Sequence, residues 1–174
     1  MSDRAAWLRS LVRDIPDYPV EGVLFRDITP LLAEPGALKA ATDLLAEPFA
    51  GQTVDRVVGI EARGFIFGAP LADALGTGFV PIRKPGKLPG PVVSQVYELE
   101  YGTDEMQVQA DAIEPGMHVV IADDVLATGG TLAAAGALVE QCGGTVVGHA
   151  LLIELTALGG RAKLDAPLYS VIEY

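Results

Sequence analysis

The sequence predicts an α/β domain with a mainly parallel central sheet and flanking helices. Three observations carry that expectation. Arg56–Ile60, Phe79–Ile82 and Val119–Ala122 are short apolar runs without polar alternation, as suits strands buried on both faces. The first and third lead into helix-forming runs, FIFGAPLADALG and LAAAGALVEQC, which is the strand, loop, helix plan of βαβ units with right-handed crossovers. All three end in loops rich in charge, glycine or both, and open α/β sheets bind ligands outside the carboxyl ends of their strands.

Length and composition narrow the function. At 174 residues the chain reads as a single domain spanning 1–174, with a helix and hood over 1–34 and a flexible lid over 83–106. A net charge of −11 argues against a nucleic-acid partner, which needs clustered Lys and Arg to neutralise phosphates. No apolar run approaches the ~20 residues of a membrane span, and the charged, amphipathic start is unlike a signal peptide, so we expect a cytoplasmic protein away from membranes. The one cysteine, Cys142, cannot cross-link the chain and reads as a small buried hydrophobe.

Taken in order, Asp3–Ile15 keeps helical spacing, with Ser2 or Asp3 as cap and Pro16 as terminator. Asp17–Leu32 is rich in turn residues yet carries Val23-Leu24-Phe25 and Ile28, too apolar for a linker. Pro35–Ala50 reads as a helix with Pro35 in its first turn. After the strand Arg56–Ile60, Glu61-Ala62-Arg63-Gly64 opens the next helix. There Gly64 lets a backbone approach an anion and Arg63 offers a bidentate fork, although an Arg at a strand end can equally be a surface charge. Phe79–Ile82 ends in Arg83-Lys84-Pro85-Gly86-Lys87-Leu88-Pro89-Gly90-Pro91, which no regular element survives. This basic loop either decorates the surface or closes over a polyanion, and two nearby anion sites favour a lid. Val92–Glu100 and Met106–Ile113 fit a hairpin with Glu100-Tyr101-Gly102 near its tip. A helix over Ala133–Gln141, a strand over Thr145–Leu155 and an edge strand over Leu168–Glu173 complete the chain. His149 reads as a satisfied core histidine, His118 as a surface one, and neither has the spacing of a metal site.

The densest chemistry lies at the third strand end. Asp123 and Asp124 are followed by Ala127-Thr128-Gly129-Gly130-Thr131, a loop of small residues opening a helix. Gly129 and Gly130 let N–H groups turn inward, Thr128 and Thr131 add hydroxyls, and the helix N-terminus favours an anion. This is a phosphate cradle. Carboxylates beside a phosphate repel it unless something between them wants acceptors, and the 2′ and 3′ hydroxyls of a ribose do. The stretch therefore reads as a ribose 5-phosphate site. Neither G-x-x-x-x-G-K-[ST] nor a G-x-G-x-x-G after a strand occurs, which argues against triphosphate and dinucleotide folds.

In these residues the chain resembles the type I phosphoribosyltransferases, whose signature is a hydrophobic strand, two acids and a loop ending in Thr-Gly-Gly-Thr. The resemblance implies binding of 5-phosphoribosyl 1-pyrophosphate (PRPP) as its Mg2+ complex, the metal being held through PRPP and not directly by the protein. The run GVLFRDITPLL resembles the base-recognition hood of the adenine-using members, implying that Phe25 stacks on the base while the backbone around Leu24 and Arg26 reads the adenine edge. By the same resemblance Arg63 meets the pyrophosphate, as do Lys84 and Lys87 in RKPGKLPG, with Pro85 replacing a basic residue of some members. LEYG brings Glu100 to the base as proton acceptor, with Tyr101 beside it. Function follows as purine salvage, with adenine and PRPP giving AMP and pyrophosphate, in a homodimer that would bring Arg83 near the neighbour's site. A member using another purine should differ around Phe25-Arg26. A PRPP-sensing regulator that binds nucleic acid would need a basic face, which a chain of −11 lacks.

Overall fold

The computed structural model describes residues 2–98 and 102–174. Helix α1 (Asp3–Ser10) is followed by a hairpin of β1 (Arg13–Pro16) and β2 (Leu24–Asp27), then by α2 (Thr29–Ala33) and α3 (Ala37–Ala46). Next come β3 (Arg56–Ile60), α4 (Gly64–Leu75) and β4 (Gly78–Ile82), and then a second hairpin, β5 (Val92–Glu98) and β6 (Thr103–Gln109). The chain closes with β7 (His118–Leu126), α5 (Gly130–Gln141), β8 (Thr145–Glu154) and β9 (Leu168–Glu173).

The central sheet has five strands in the order β4-β3-β7-β8-β9, and every neighbouring pair is parallel. Successive residues point to opposite faces and both faces are covered. Val57, Val120 and Ala122 join a core with α1, α3 and α4, while Val58, Val119 and Ile121 join another with α5 and the β5–β6 hairpin. That double burial explains the unalternating apolar runs in the sequence.

Four expectations about elements need correction. The first helix ends at Ser10, because Ile15 pairs with Phe25 and Pro16 with Leu24 in the hood hairpin; Ser2 does cap it, accepting from the Ala5 amide at 3.3 Å. The helix expected over Pro35–Ala50 spans only Ala37–Ala46, since Gly36 enters it at φ +85° and Pro48 sits in a 3₁₀ turn over Glu47–Phe49. The return strand of the second hairpin starts at Thr103 and stops at Gln109, set by a register from Val92↔Gln109 to Glu98↔Thr103. Finally, β7 does not stop at Ala122: Asp123, Val125 and Leu126 stay paired with Leu151, Ile153 and Glu154 of the long β8.

Two side chains also depart from expectation. His149 is 2% exposed, but its Nδ1 has no hydrogen-bond partner among the described residues, so it is a buried and unsatisfied histidine there; burial lowers its pKa to about 4. Cys142 is only partly buried, and that burial raises its thiol pKa.

Candidate functional site

Unequal strand lengths build the site. Pairing of β3 with β7 ends at Gly59↔Ala122, whereas β7 runs on beside β8 to Leu126↔Glu154. Asp123 and Asp124 therefore lie on a length of strand flanked by β8 on one side and by a cleft on the other. That cleft, of about 260 Å³, is walled by Ile60–Arg63 and by Asp123–Leu132. A second cleft of about 240 Å³ adjoins it, sharing Ile60, Glu61 and Thr131 and reaching Arg83, Lys84, Tyr97 and Asp104.

Close backbone contacts fix the first cleft. A Cβ at Gly64 would lie 2.8 Å from the Ala122 carbonyl oxygen and 2.9 Å from Oδ1 of Asp123, so only glycine lets α4 start against the first acid. Gly129, at φ +83°, begins α5, whose first-turn amides have no intrahelical acceptors and face outward from the helix end. Its Cβ would meet the Gly160 carbonyl oxygen at 2.4 Å, and a Cβ on Gly160 would meet the Ala127 oxygen at 2.2 Å. The small-residue loop is thus pressed against the turn that links β8 to β9.

The two acids are electrostatically coupled. Oδ1 of Asp123 accepts the Asp124 amide at 2.9 Å, and Oδ2 of Asp124 pairs with Nε of Arg63 at 2.9 Å. Burial and the Asp124 charge push the Asp123 carboxyl well above its ordinary range. Burial also raises Asp124, with Arg63 opposing it. Two acids held in this state favour hydroxyl donors or a cation beside them.

Acids hold the basic residues of the second cleft. Oε2 of Glu61 accepts the Lys84 amide at 3.0 Å and Nε of Arg83 at 3.1 Å, and Nη1 of Arg83 also donates to the Lys87 carbonyl at 3.2 Å. The Lys84 amide bond, with help from Arg83 and Lys87, holds the Glu61 carboxyl below its usual pKa against burial. The Lys84 ammonium pairs with Asp104 and lies 3.4 Å from the Tyr97 hydroxyl. Burial pulls Lys84 down, but those partners outweigh it and raise its pKa, while the Lys84 bond lowers that of Asp104.

The structure thus gathers Arg63, Asp123, Asp124, Ala127, Thr128, Gly129, Gly130 and Thr131 around one cleft and Arg83 and Lys84 around its neighbour. Phe25 approaches from the hood, its ring 5.5 Å from the Arg63 guanidinium and edge-on to Tyr18 at 5.1 Å. Leu24 is 45% exposed. The Arg26 side chain is paired with Asp14 and stacked on Tyr174, and Lys87 is exposed on its loop; neither side chain lines these clefts. Glu100 and Tyr101 lie outside the described residues. Sequence reading gave no role to Glu61, Tyr97, Asp104 or Gly160. Only the Gly159-Gly160 pair carried a signal, that of a close backbone approach.

Comparison with known proteins agrees with this geometry. A model of the phosphoribosyl transferase domain family matches residues 27–173. The chain is 58% identical over 168 residues to adenine phosphoribosyltransferase of Rhodopirellula baltica, covering 96% of this chain and 82% of that protein. It is 56% identical over 163 residues to the Thermobifida fusca enzyme of the same name, covering 94% and 93%. Among solved structures, adenine phosphoribosyltransferase of Rhodothermus marinus superposes with a TM-score of 0.93 at 50% identity, covering 98% of each chain. The Saccharomyces cerevisiae enzyme, complexed with an imino-altritol bisphosphate and adenine, also gives 0.93, at 43% identity over 98% and 99% of the two chains.

Proposed function

This chain belongs to the phosphoribosyltransferase family, and we propose that it acts in purine salvage, transferring the 5-phosphoribosyl group of PRPP to adenine to give AMP and pyrophosphate. The observation that carries the reading is a single cleft in which a small-residue loop at a helix start and two coupled carboxylates face an arginine loop. The identity of the base rests on the adenine phosphoribosyltransferases to which nearly the whole chain is similar.

In this reading the amides and hydroxyls of Ala127–Thr131 hold the 5′-phosphate, and Asp123 and Asp124 accept from the ribose hydroxyls. Phe25 stacks on adenine, and the backbone of Leu24 and Arg26 reads its edge. A purine nitrogen attacks the anomeric carbon as its bond to the pyrophosphate oxygen breaks, through an oxocarbenium-like state. Asp123 and Asp124 place negative charge near that developing cation. The bond's electron pair leaves with pyrophosphate, which Arg63, Lys84 and Lys87 receive, and Glu100 takes the proton lost from the purine. Arg63 exchanges Asp124 for pyrophosphate in doing so, and Lys84 leaves Asp104. Closure of the 83–106 lid excludes water that would hydrolyse the donor.

The residues also fit Mg2+. Asp123 and Asp124 offer hard carboxylate oxygens whose coupled ionisation a divalent cation next to them favours. Bound with PRPP, Mg2+ would neutralise charge on the leaving pyrophosphate. We further place the protein in the cytoplasm, as a homodimer in which Arg83 lies near the neighbouring site. Among the described residues no helix is long and apolar enough to cross a membrane.

The test is AMP formation from PRPP, Mg2+ and adenine, beside hypoxanthine, guanine and xanthine, with Glu100→Gln in parallel. Turnover of adenine alone, reduced about 10²- to 10⁴-fold in the variant, is the expected result. Tight PRPP binding without turnover of any base would instead make the chain a PRPP-binding regulator.

A further inference from the structure

Beyond the clefts, one side chain ties the edge of the central sheet to the hood. Tyr174 follows β9, and its backbone is fixed on both sides: its amide donates to the Glu154 carbonyl at 2.9 Å, and its carbonyl accepts from the Thr156 amide at 2.9 Å and the Thr156 hydroxyl at 2.7 Å. Two guanidinium groups lie over its ring, that of Arg26 at 3.8 Å and that of Arg9 at 4.2 Å from the centroid. Arg9 also donates to the Glu173 carbonyl, and Arg26 pairs with Asp14, its register partner across the hood hairpin.

This stack matters because of where it grips the strand. Neighbouring residues of a strand point to opposite sides. Phe25 turns toward Tyr18 and Arg63, on the side of the cleft, and Arg26 turns the other way, onto Tyr174, with its side chain only 18% exposed. The hairpin has just four paired positions, and an isolated two-stranded hairpin is marginal in water. Its geometry therefore depends on such attachments. Close guanidinium–aromatic stacking is among the stronger ones available to a partly buried residue.

We propose that Tyr174 is a positioning residue for base recognition: through Arg26 it sets the backbone of Leu24–Asp27 at the height and angle that the base requires. The inference rests on the adenine-transfer reading, and within that reading it assigns a specificity-supporting role to a residue outside both clefts. What acts is the aromatic face and not the hydroxyl, so phenylalanine should substitute.

The experiment compares Tyr174→Leu, Tyr174→Phe and Arg26→Met with wild type in steady-state kinetics, together with hydrogen exchange at the 24–27 amides. Tyr174→Leu is expected to raise KM for adenine about tenfold and speed exchange in the hood, leaving kcat and KM for PRPP within about twofold. Tyr174→Phe should stay close to wild type. Arg26→Met removes the Arg26 half of the stack, together with the Asp14 pair, without touching the sheet edge, so it keeps the test open if Tyr174→Leu misfolds. It too should raise KM for adenine and speed hood exchange, and the two changes should add less than fully in the double variant. An unchanged adenine KM and unchanged hood exchange in the Leu and Met variants would overturn the proposal, as would equal losses in both substrates' KM. If wild type itself does not turn over adenine, the functional reading fails separately, and hood exchange still decides whether Tyr174 holds the hairpin.

Discussion

Nε of Arg63 lies 2.9 Å from Oδ2 of Asp124, which makes the group assigned to pyrophosphate the counter-ion of a group assigned to ribose. In the proposed reaction Arg63 would turn to pyrophosphate only as Asp124 gained another partner, a part that the ribose hydroxyls of PRPP would fill. On that assignment, binding of sugar and binding of leaving group would be linked through one side chain.

The coupled acids set a trade-off between stability and activity. The folded-state pKa of Asp123 is raised above 3.8, so its contribution is most favourable below that pH and is lost as pH rises through the folded value. Asp123→Asn removes this cost. It is expected to raise the thermal midpoint near pH 7 by about 2–6 °C while lowering turnover about 10²-fold or more. Calorimetry between pH 4 and 8 checks it: the variant's advantage should grow with pH, and an advantage that shrinks would contradict the assignment.

Gly160 touches no proposed ligand, yet Gly160→Ala should weaken PRPP binding by about tenfold or more and cost about 1–3 kcal/mol of stability, because the new Cβ meets the Ala127 carbonyl oxygen and the Gly129 amide nitrogen, besides the Leu126 side chain. Titration with PRPP checks the first figure and urea unfolding the second. Wild-type affinity in a stable variant would mean that the cradle tolerates displacement.

Asp104 holds Lys84, one of the groups assigned to pyrophosphate. Asp104→Asn should lower KM for PRPP about two- to fivefold at low ionic strength, with the difference fading near ~0.5 M salt as screening shortens the reach of both interactions. Kinetics at two salt concentrations decide the matter, since a KM gain independent of salt would point away from charge.

Burial lowers the folded-state pKa of His149 from its ordinary 6.5 to about 4. Its folded pKa is depressed, so the contribution is complete above about 6.5 and is lost as pH falls toward about 4, a change on the order of 3 kcal/mol. His149→Leu removes that slope and forfeits no hydrogen bond at Nδ1. Unfolding free energies at pH 7 and 4.5 should therefore converge in the variant; an undiminished acid slope would locate the titrating group elsewhere.

Much of the site was legible because its chemistry is local. Asp123, Asp124 and Ala127–Thr131 are consecutive, and buried parallel strands announce themselves by apolar runs such as Val57-Val58 and Val119–Ala122. What escaped depends on long-range pairing. Leu11, Val12 and Ile15 satisfy a helical spacing, and only the partner Phe25 shows that Ile15 belongs to a strand. The acids look like a strand end until Leu151 and Ile153 are seen to carry the ladder past them. Asp104 meets Lys84 from 20 residues away, on a return strand that the sequence suggested over Met106–Ile113 and that runs from Thr103 to Gln109.

The contact between Gly129 and Gly160 has a consequence for how such a protein can diverge. When two side chains meet, a gain of volume on one can be offset by a loss on the other, and homologues drift through paired exchanges. Here main chain meets main chain, and neither partner has anything to give up. Every first step at either position is a loss, and no second step at the other repairs it. Saturation libraries at the two codons should therefore return glycine at both, with no compensating combinations.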